Sequence, residues 1–323
     1  MNTTDIESAE ALRIAEIVAQ KVHAAVREAI DAPDAGEAAG VASSGDTTFS
    51  VDIVAEAALE RALLELDVPV ACYSEDQGLQ AISDNPKWLL IVDPIDGTRS
   101  AAAGLDACVV SVAVSRLNDE PRFKDVVAGA VFELRRDRVY LARRGNGARE
   151  ITPSGSRDMS PHPPKEFCEL RWTLETVARP ALYNYMAAQE LIDETSLRGG
   201  LFALNSSAYA LCQVAAGRFS GMVDLSARIL RDCDPGETYM RKVGHGRVMG
   251  LWAYDIAAAA LIALEAGCQV TDAWGKPLDE MILTRTRPED MASCICGPCS
   301  EYHARMLDLL DQGFETCKAF SLE

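Results

Sequence analysis

The first part of the chain places apolar side chains at intervals of three or four residues, which is the spacing of one helix face. Within residues 5–30 these positions are Leu12, Ala15, Val18, Val22, Ala25, Val26 and Ala29. Thr4 and Glu7 have the spacing of a capping box at the start of this helix. Residues 31–46 are small and polar, and they predict a mobile loop of a length that is often functional or disordered.

The remaining sequence alternates between helical and strand patterns. Helices are predicted at 52–66, 176–190, 206–217, 255–266 and 300–311. Strands are predicted at 68–73, 107–116, 125–133, 138–142, 166–173, 200–204, 219–225, 268–272 and 291–296, together with a buried strand that runs into a turn at 88–98. This alternation predicts a layered α/β (α+β) architecture.

A Pro-rich and Ser-rich stretch at 152–165 predicts a connection between two packed subdomains, residues 1–155 and 156–323. The chain has 323 residues, which is enough for one large domain or for two closely packed ones. Segment 226–249 is polar and has no assigned helix or strand.

Composition narrows the function classes. A formal charge of −18 does not suit binding to a phosphate backbone, so we expect no nucleic-acid partner. The sequence has no apolar run of the roughly 18 residues that a membrane span needs, and its start is not typical of a secretory signal. Several of its ten cysteines lie in apolar runs, which is typical of reduced, buried thiols. We therefore expect a cytoplasmic protein without a membrane partner.

The segment Asp93-Pro94-Ile95-Asp96-Gly97-Thr98 carries the strongest chemical signal. It follows an apolar strand, so its carboxylates lie where ligand sites gather in α/β proteins. Two carboxylates across a tight turn suit a hard divalent cation, and backbone amides at Gly97 and Thr98 suit a phosphate. This combination indicates metal-assisted phosphoryl chemistry. The alternative is a structural Asx-rich turn.

Three further acidic positions strengthen this interpretation. Glu75 follows the predicted strand 68–73, Asp255 lies near the start of the helix at 255–266, and Asp52 lies near the start of the helix at 52–66. Helix capping explains Asp52 and Asp255 equally well, and Glu75 has the alternative of a surface acid.

The segments GDTTFSVD, SED, DPIDGT, CQVAAGRFSGMVD and WAYDIAAAALIALEAGCQVTD occur in this order over roughly residues 45–275. In motif order and spacing the chain resembles the inositol monophosphatase family, part of the lithium-sensitive, metal-dependent phosphatases that include fructose-1,6-bisphosphatases. The resemblance implies a layered αβαβα sandwich with the site between two subdomains. It implies hydrolysis of a phosphate monoester by activated water, two or three Mg²⁺ ions with Mn²⁺ as a substitute, and a homodimer.

The resemblance also implies residue roles. The implied metal ligands are Glu75, Asp93, Asp96 and Asp255, together with the carbonyl of Ile95. The implied catalytic residues are Asp52, Glu75 and Thr98, with Asp52 and Thr98 orienting and activating the water. The implied substrate-binding residues are Asp96, Gly97, Thr98, Ser206, Asp224 and Arg228. The chain departs from the family at Arg99-Ser100-Ala101, where the family usually has an Asn-Phe-like pair, and at Ala258 and Ala259, where glycine is common.

The substrate is a small phosphorylated polyol or sugar in this interpretation. Inositol monophosphate is the leading substrate, fructose 1,6-bisphosphate is close behind, and 3′-phosphoadenosine 5′-phosphate and histidinol phosphate rank below both. In the family resemblance, Asp224 matches the acidic position that helps to choose inositol. A positive cluster within segment 226–249 suggests contact with a second anionic group, and its alternative is a solvated surface loop paired with Asp232, Asp234 and Glu237. The cluster consists of Arg228, Arg231, Arg241, Lys242, His245 and Arg247. Ser206 and Ser207, at a predicted helix start, are candidates to line the pocket, and helix capping is their alternative role.

Two other function classes stay open at this point. Cys296-Gly297-Pro298-Cys299 is a CxxC motif that invites a thiol–disulfide redox function, although the short remaining chain disfavours it. A zinc site at Cys294, Cys296 and Cys299 lacks an evident fourth ligand beyond His303. The last class is a catalytically silent family member that acts as a binding protein, although no acidic ligand is missing.

Overall fold

The computed structural model describes residues 3–32, 34–41 and 47–320. Its nine helices in these ranges are α1 Thr3–Ala29, α2 Ser50–Leu64, α3 Thr98–Ala102, α4 Ala181–Thr195, α5 Ser207–Ala215, α6 Ser226–Asp232, α7 Gly236–Val243, α8 Ala253–Ala266 and α9 Ser300–Ala319. The first strands are β1 Ala38–Val41, β2 Thr47–Phe49, β3 Val70–Ser74, β4 Gly78–Ala81, β5 Trp88–Asp96, β6 Val109–Arg116, β7 Val126–Glu133, β8 Val139–Arg143, β9 Ala148–Thr152 and β10 Gly155–Asp158. The later ones are β11 Arg171–Leu174, β12 Gly200–Phe202, β13 Gly221–Asp224, β14 Gln269–Thr271 and β15 Cys294–Gly297.

Two large sheets organise the chain. The first has eight strands in the order β10-β9-β8-β7-β6-β5-β3-β4, with β3 and β5 parallel and the other neighbours antiparallel. The second has five strands in the order β12-β11-β13-β15-β14, with β11 parallel to both of its neighbours. Strands β1 and β2 form a separate antiparallel pair.

The two faces of the first sheet pack against different layers. Strand alternation sends Leu90 and Val92 toward α1 and α2, and it sends Leu89 and Ile91 toward the opposite face. Helices α5 and α8 fill the space between the two sheets, and α4 and α9 cover the far side of the second sheet. The layers therefore run α, β, α, β, α, and the predicted sandwich is confirmed.

Helix α8 is apolar all round because it is buried between two sheets. Its alanines allow close approach: a Cβ on Gly129 of β7 would lie 2.8 Å from the carbonyl oxygen of Ala258. Ala258 is almost fully buried at this contact. The Ala258-Ala259 departure therefore belongs to the packing of α8 against the first sheet.

Several boundaries differ from the sequence-based expectations. The predicted loop at 31–46 contains β1 in its described part, and residues 42–46 lie outside the described residues. The predicted connection at 152–165 contains β10, and segment 226–249 contains α6 and α7. We retain the division after residue 155 as a proposal, although β10, which crosses it, pairs with β9 of the first sheet.

Candidate active site

Asp93 and Asp96 lie at the end of β5 in the first sheet. In a regular strand, side chains three positions apart point to opposite faces. The pairing of β5 with β6 is irregular between Asp93 and Asp96, as in a β-bulge. This irregularity lets both carboxylates approach one place, and both are buried.

Asp255 joins them from the first turn of α8. One carboxylate oxygen from each of Asp93, Asp96 and Asp255 lies within 4.8 Å of the others. Among the described residues, this is the one group of three or more acidic, histidine or cysteine side chains that meets this spacing. The structure therefore brings together three of the four predicted acidic ligands in a single cluster.

Backbone and side-chain donors fix one oxygen of each carboxylate in the cluster. The Ile95 amide donates to Oδ1 of Asp93 over 3.0 Å, and the Trp252 amide donates to Oδ2 of Asp255 over 2.6 Å. Oδ2 of Asp96 accepts hydrogen bonds from the Ser206 hydroxyl at 2.7 Å and from the Ala208 amide at 2.6 Å. Such contacts orient the carboxylates before any cation binds.

Burial and mutual repulsion make the cluster electrostatically costly without a cation. Burial raises the pKa of Asp96 to about 6. The pKa of Asp93 is raised well above its ordinary value by burial and then by the charges of Glu75, Asp96 and Asp255. Burial and the charge of Asp96 raise the pKa of Asp255. Oxygen ligands in this arrangement fit a hard divalent cation, which would neutralise the repulsion.

Glu75, the fourth predicted acid, follows β3 and lines the same cleft as the cluster. A smaller cavity shares Glu75, Asp93 and Ile95 with this cleft and is also lined by Asp52, Glu56 and Asp76. Burial and the charge of Asp76 raise the pKa of Glu56 to about 7. The acidic surface therefore continues from the cluster toward α2.

Asp52 and Thr98 meet beside the cluster. The Thr98 hydroxyl lies 3.2 Å from Oδ1 of Asp52 and 3.0 Å from the carbonyl oxygen of Ile95. The other oxygen of Asp52 accepts a 2.8 Å hydrogen bond from the Phe49 amide at the start of α2. Asp52 therefore caps a helix and contacts Thr98 at the same time.

Gly97 makes the turn that follows Asp96. Its φ of 88° lies in the left-handed region, which L side chains rarely adopt. A Cβ at this position would also lie 2.4 Å from the carbonyl oxygen of Ala107 and 2.8 Å from Cβ of Ser206. Both conformation and space therefore require glycine here.

The cleft above the cluster has about 650 Å³ of space between and beside its lining atoms, a volume that includes open solvent. Its lining includes the predicted Glu75, Asp93, Ile95, Asp96, Gly97, Thr98 and Asp255, and also Arg99 and Ser207. The sequence interpretation missed other lining residues, among them Glu175, Arg179, Asn205, Met249 and Tyr254. Glu175 directly follows β11, and Arg179 and Asn205 shortly precede α4 and α5, so these three reach the site through the fold and not through a local motif. Tyr254 stands beside Asp255 in the first turn of α8.

Three predicted substrate contacts lie elsewhere. Ser206 is buried and bonded to Asp96, so its place supports a positioning role. Asp224 is fully buried and paired with Arg179, with Nε of the arginine 3.1 Å from Oδ2 of the aspartate. Arg228 is buried against the Phe314 ring and bonded to the Ala273 carbonyl over 2.8 Å. None of the three lines the cleft in the described structure, which does not support direct contacts with substrate.

Three arginines of the predicted positive cluster in segment 226–249 make contacts within the protein. Arg231 donates to the carbonyl of Glu289 and lies over the Trp274 ring. Arg241 pairs with Glu237 on α7. The contacts of Arg228, Arg231 and Arg241 are all made within the protein. They agree with the alternative interpretation, in which the charges of this segment are paired at the surface.

The cysteines offer neither a disulfide nor a zinc site. All ten are free thiols, and Cys296 is fully buried within the second sheet. His303, the nearest candidate for a fourth zinc ligand, is bonded to the Thr271 hydroxyl through Nε2 at 2.9 Å. The CxxC motif is therefore the end of a core strand followed by a helix N-terminus.

The sequence profile of the inositol monophosphatase family matches residues 7–311. The chain belongs to the inositol monophosphatase family. The family and its named members are phosphatases. This protein is therefore a metal-dependent phosphatase, which is a phosphoric monoester hydrolase. The comparisons do not support a thiol–disulfide redox protein or a silent binding protein.

Individual relatives agree with this family. The chain is 26% identical over 306 residues to the fructose-1,6-bisphosphatase/inositol-1-monophosphatase of Methanothermobacter thermautotrophicus. This alignment covers 92% of this chain and 95% of the relative. The chain is 27% identical over 247 residues to the fructose-1,6-bisphosphatase of Pyrococcus furiosus, covering 76% and 78% of the two chains. The structure of inositol monophosphatase from Anabaena shares the fold, with a TM-score of 0.66, 18% identity and coverage of 95% and 97%.

None of the helices in the described ranges combines the length and apolar content that a membrane crossing needs.

Proposed function

We propose that this phosphatase hydrolyses the phosphate monoester of a small phosphorylated polyol or sugar, with inositol monophosphate as the favoured substrate and fructose 1,6-bisphosphate as the second. The observation that carries the proposal is the cluster of buried Asp93 and Asp96 with half-buried Asp255, whose oxygens lie within 4.8 Å of one another beside the Gly97 turn. The names of the relatives support both substrates.

We propose Mg²⁺ as the cofactor, with two or three ions per site and Mn²⁺ as a substitute. Glu75, Asp93, Asp96, Asp255 and the Ile95 carbonyl would hold these ions, because hard cations favour such oxygen ligands. When bound, the ions supply a Lewis acid that lowers the pKa of water and neutralises charge on the phosphate.

The chain's own residues complete the site in this proposal. The amides of Gly97 and Thr98 hold the phosphate, since backbone N–H groups suit an anion. Asp52 and Thr98 orient the attacking water, which their mutual contact at 3.2 Å supports. Arg99, which replaces the family's usual residue, lines the cleft next to Thr98 and adds positive charge beside the phosphate.

A substrate panel tests the proposed function. The purified protein is assayed for phosphate release with Mg²⁺ on inositol 1-phosphate, fructose 1,6-bisphosphate, 3′-phosphoadenosine 5′-phosphate and histidinol phosphate. We expect the highest kcat/KM on inositol 1-phosphate, with inhibition by lithium. Turnover of none of these esters would contradict the proposal and favour a silent binding protein.

We also propose a cytoplasmic location and a homodimer, without a nucleic-acid or membrane partner. The ten free thiols support a reducing compartment, and the family resemblance supports the dimer. Light scattering coupled to size exclusion tests the dimer, and a mass of about one chain (34.9 kDa) would contradict it.

A further inference from the structure

Glu175 is a buried carboxyl group in the cleft to which the proposed chemistry gives no role. It follows β11, and its amide donates to the Val223 carbonyl of β13 over 3.0 Å. Its side chain lines the cleft, is 4% exposed, and has an oxygen, Oε1, with no hydrogen-bond partner among the described residues. Buried polar atoms are nearly always partnered in native proteins, so an exception inside a binding cleft points to a ligand.

Arg179 lies on the same side of the cleft. Its guanidinium is held by Oδ2 of Asp224, and its Nη1 donates to the Val177 carbonyl over 2.6 Å. These contacts fix the side chain and leave part of its five-donor fork for a ligand. Asp224 neutralises the arginine from behind, because it is fully buried and does not line the cleft. We call Glu175, Arg179 and Asp224 the second-sheet wall.

The backbone around this wall is strained. Ala178 has a φ of 55° and Asn205 a φ of 52°, and both line the cleft. A left-handed alanine is uncommon, and such strain persists where the surrounding structure imposes it. Here Oδ1 of Asn205 accepts hydrogen bonds from the Thr176 amide at 3.0 Å and the Thr176 hydroxyl at 2.8 Å. The fold thus imposes a costly conformation on the segment that presents Glu175 and Arg179.

The charges of the wall discriminate between ligands. A second phosphate would meet an arginine already neutralised by Asp224 and would face the carboxyl group of Glu175. A neutral hydroxyl group can donate to Glu175 and accept from Arg179, so it satisfies both. Adjacent hydroxyl groups on one ring therefore match the wall better than a second anion.

We propose that the second-sheet wall binds the neutral hydroxyl groups of a polyol monophosphate, with Glu175 and Arg179 in contact with substrate and Asp224 as a positioning residue. This inference rests on the proposed function and selects, among its substrates, inositol monophosphate over fructose 1,6-bisphosphate. In this proposal the specificity role that the sequence predicted for Asp224 belongs to Arg179, the ion-pair partner of Asp224 that lines the cleft.

The test compares phosphate release from three probes in the full-length protein with Mg²⁺. Inositol 1-phosphate carries the hydroxyl groups, cyclohexyl phosphate has the same ring without them, and fructose 1,6-bisphosphate carries a second phosphate. Glu175→Met keeps the side-chain length and removes both oxygens. We expect it to lower kcat/KM on inositol 1-phosphate about tenfold or more, mainly through KM, and to change kcat/KM on cyclohexyl phosphate less than about threefold.

Glu133→Gln is the matched control. Glu133 is another fully buried glutamate with an unpartnered oxygen, and it does not line the cleft. We expect this variant to leave the ratio of the two rates unchanged. Because Glu175→Met removes an unpartnered buried atom, its Tm should equal or exceed that of the wild type. A purely structural role for Glu175 predicts a lower Tm and equal effects on both probes.

Arg179→Lys provides a second variant, since it keeps the charge and loses the planar fork. It should also lower the preference for inositol 1-phosphate over cyclohexyl phosphate. Two outcomes would overturn this inference and leave the proposed function standing. One is an equal loss of kcat/KM on inositol 1-phosphate and cyclohexyl phosphate in both variants. The other is a wild-type kcat/KM about tenfold higher on the bisphosphate than on inositol 1-phosphate. Absence of wild-type turnover on all three probes would instead overturn the proposed function beneath it.

Discussion

The hydroxyl group of Ser206 donates a 2.7 Å hydrogen bond to Oδ2 of Asp96, from a residue 110 positions further along the chain. The Ala208 amide donates to the same oxygen, so the start of α5 and the end of β5 are joined at one atom. Since α5 packs on the second sheet and β5 belongs to the first, this contact ties the two sheets together at the acidic cluster.

Removing this hydroxyl group should weaken cation binding. We predict that Ser206→Ala raises the Mg²⁺ concentration for half-maximal phosphate release about tenfold, because groups that orient a metal ligand typically contribute this much. It should lower the free energy of unfolding by about 1 kcal/mol. Ser226→Ala is the control, because the Ser226 hydroxyl is buried, unpartnered in the described structure and outside the cleft. An unchanged Mg²⁺ requirement in Ser206→Ala would contradict the positioning role.

The Asp93 carboxylate is repelled by the charges of Glu75, Asp96 and Asp255. We predict that Asp93→Asn lowers kcat by about 100-fold or more, because the variant loses a ligand charge. In the presence of a chelator the same variant should be more stable than the wild type, by about 1 kcal/mol, because repulsion with Glu75, Asp96 and Asp255 is relieved. Denaturant unfolding in EDTA measures this difference.

Asp84→Asn serves as the control for that pair of measurements, since Asp84 is exposed and away from the cleft. This variant should leave kcat unchanged and should shift the free energy of unfolding by no more than about 0.5 kcal/mol. An Asp93→Asn protein that is less stable than the wild type in EDTA would show that the buried charge is compensated without a cation.

Gly97 is predicted to tolerate no side chain. Gly97→Ala combines a left-handed φ with a close approach to the Ala107 carbonyl, so we expect a loss of about 2 kcal/mol or more in unfolding free energy. Gly104→Ala has a similar φ of 75° and no neighbour within 4 Å, so it should cost about 1 kcal/mol. Equal costs at the two positions, measured by urea unfolding, would show that the close approach is absent in solution.

The free thiols allow a direct test of the CxxC motif. Of the ten cysteines only Cys168 and Cys299 are partly exposed, so iodoacetamide should modify these two first in the native protein. Peptide mass mapping identifies the modified positions. Phosphate release should be retained after the modification, because neither residue lines the cleft. Two results would instead favour a redox role: loss of phosphate release after alkylation, and a gain of phosphate release when an unmodified sample is treated with a thiol reductant.

The acidic part of the site was predictable because its signal is local. Asp93, Asp96 and Gly97 share one turn after one apolar strand, so their residue types and spacing are visible in the sequence without knowledge of the distant contacts from Ser206 and Ala208. Asp255 and Asp52 were identified by their places near helix starts, and the structure gives each a hydrogen bond to a helix-starting amide beside the cleft or its adjoining cavity.

The substrate side was less predictable because charge patterns do not show which charges are already paired. Asp224 and Arg228 stood out in the sequence, yet both are buried in ion pairs. Glu175 and Arg179 carry no motif and reach the cleft only because β11 lies beside β13. Likewise β9 and β10 were missed, since their polar residues lack the apolar alternation by which strands are recognised.

The central claim is that Asp93, Asp96 and Asp255 act together as a divalent-cation site on which phosphate release depends. Its most direct test is the rate of phosphate release from inositol 1-phosphate during a Mg²⁺ titration of chelator-treated protein. The account predicts no release without Mg²⁺, saturable recovery on addition, and loss again in excess EDTA. Full activity of the chelator-treated protein, with no response to Mg²⁺, would contradict it.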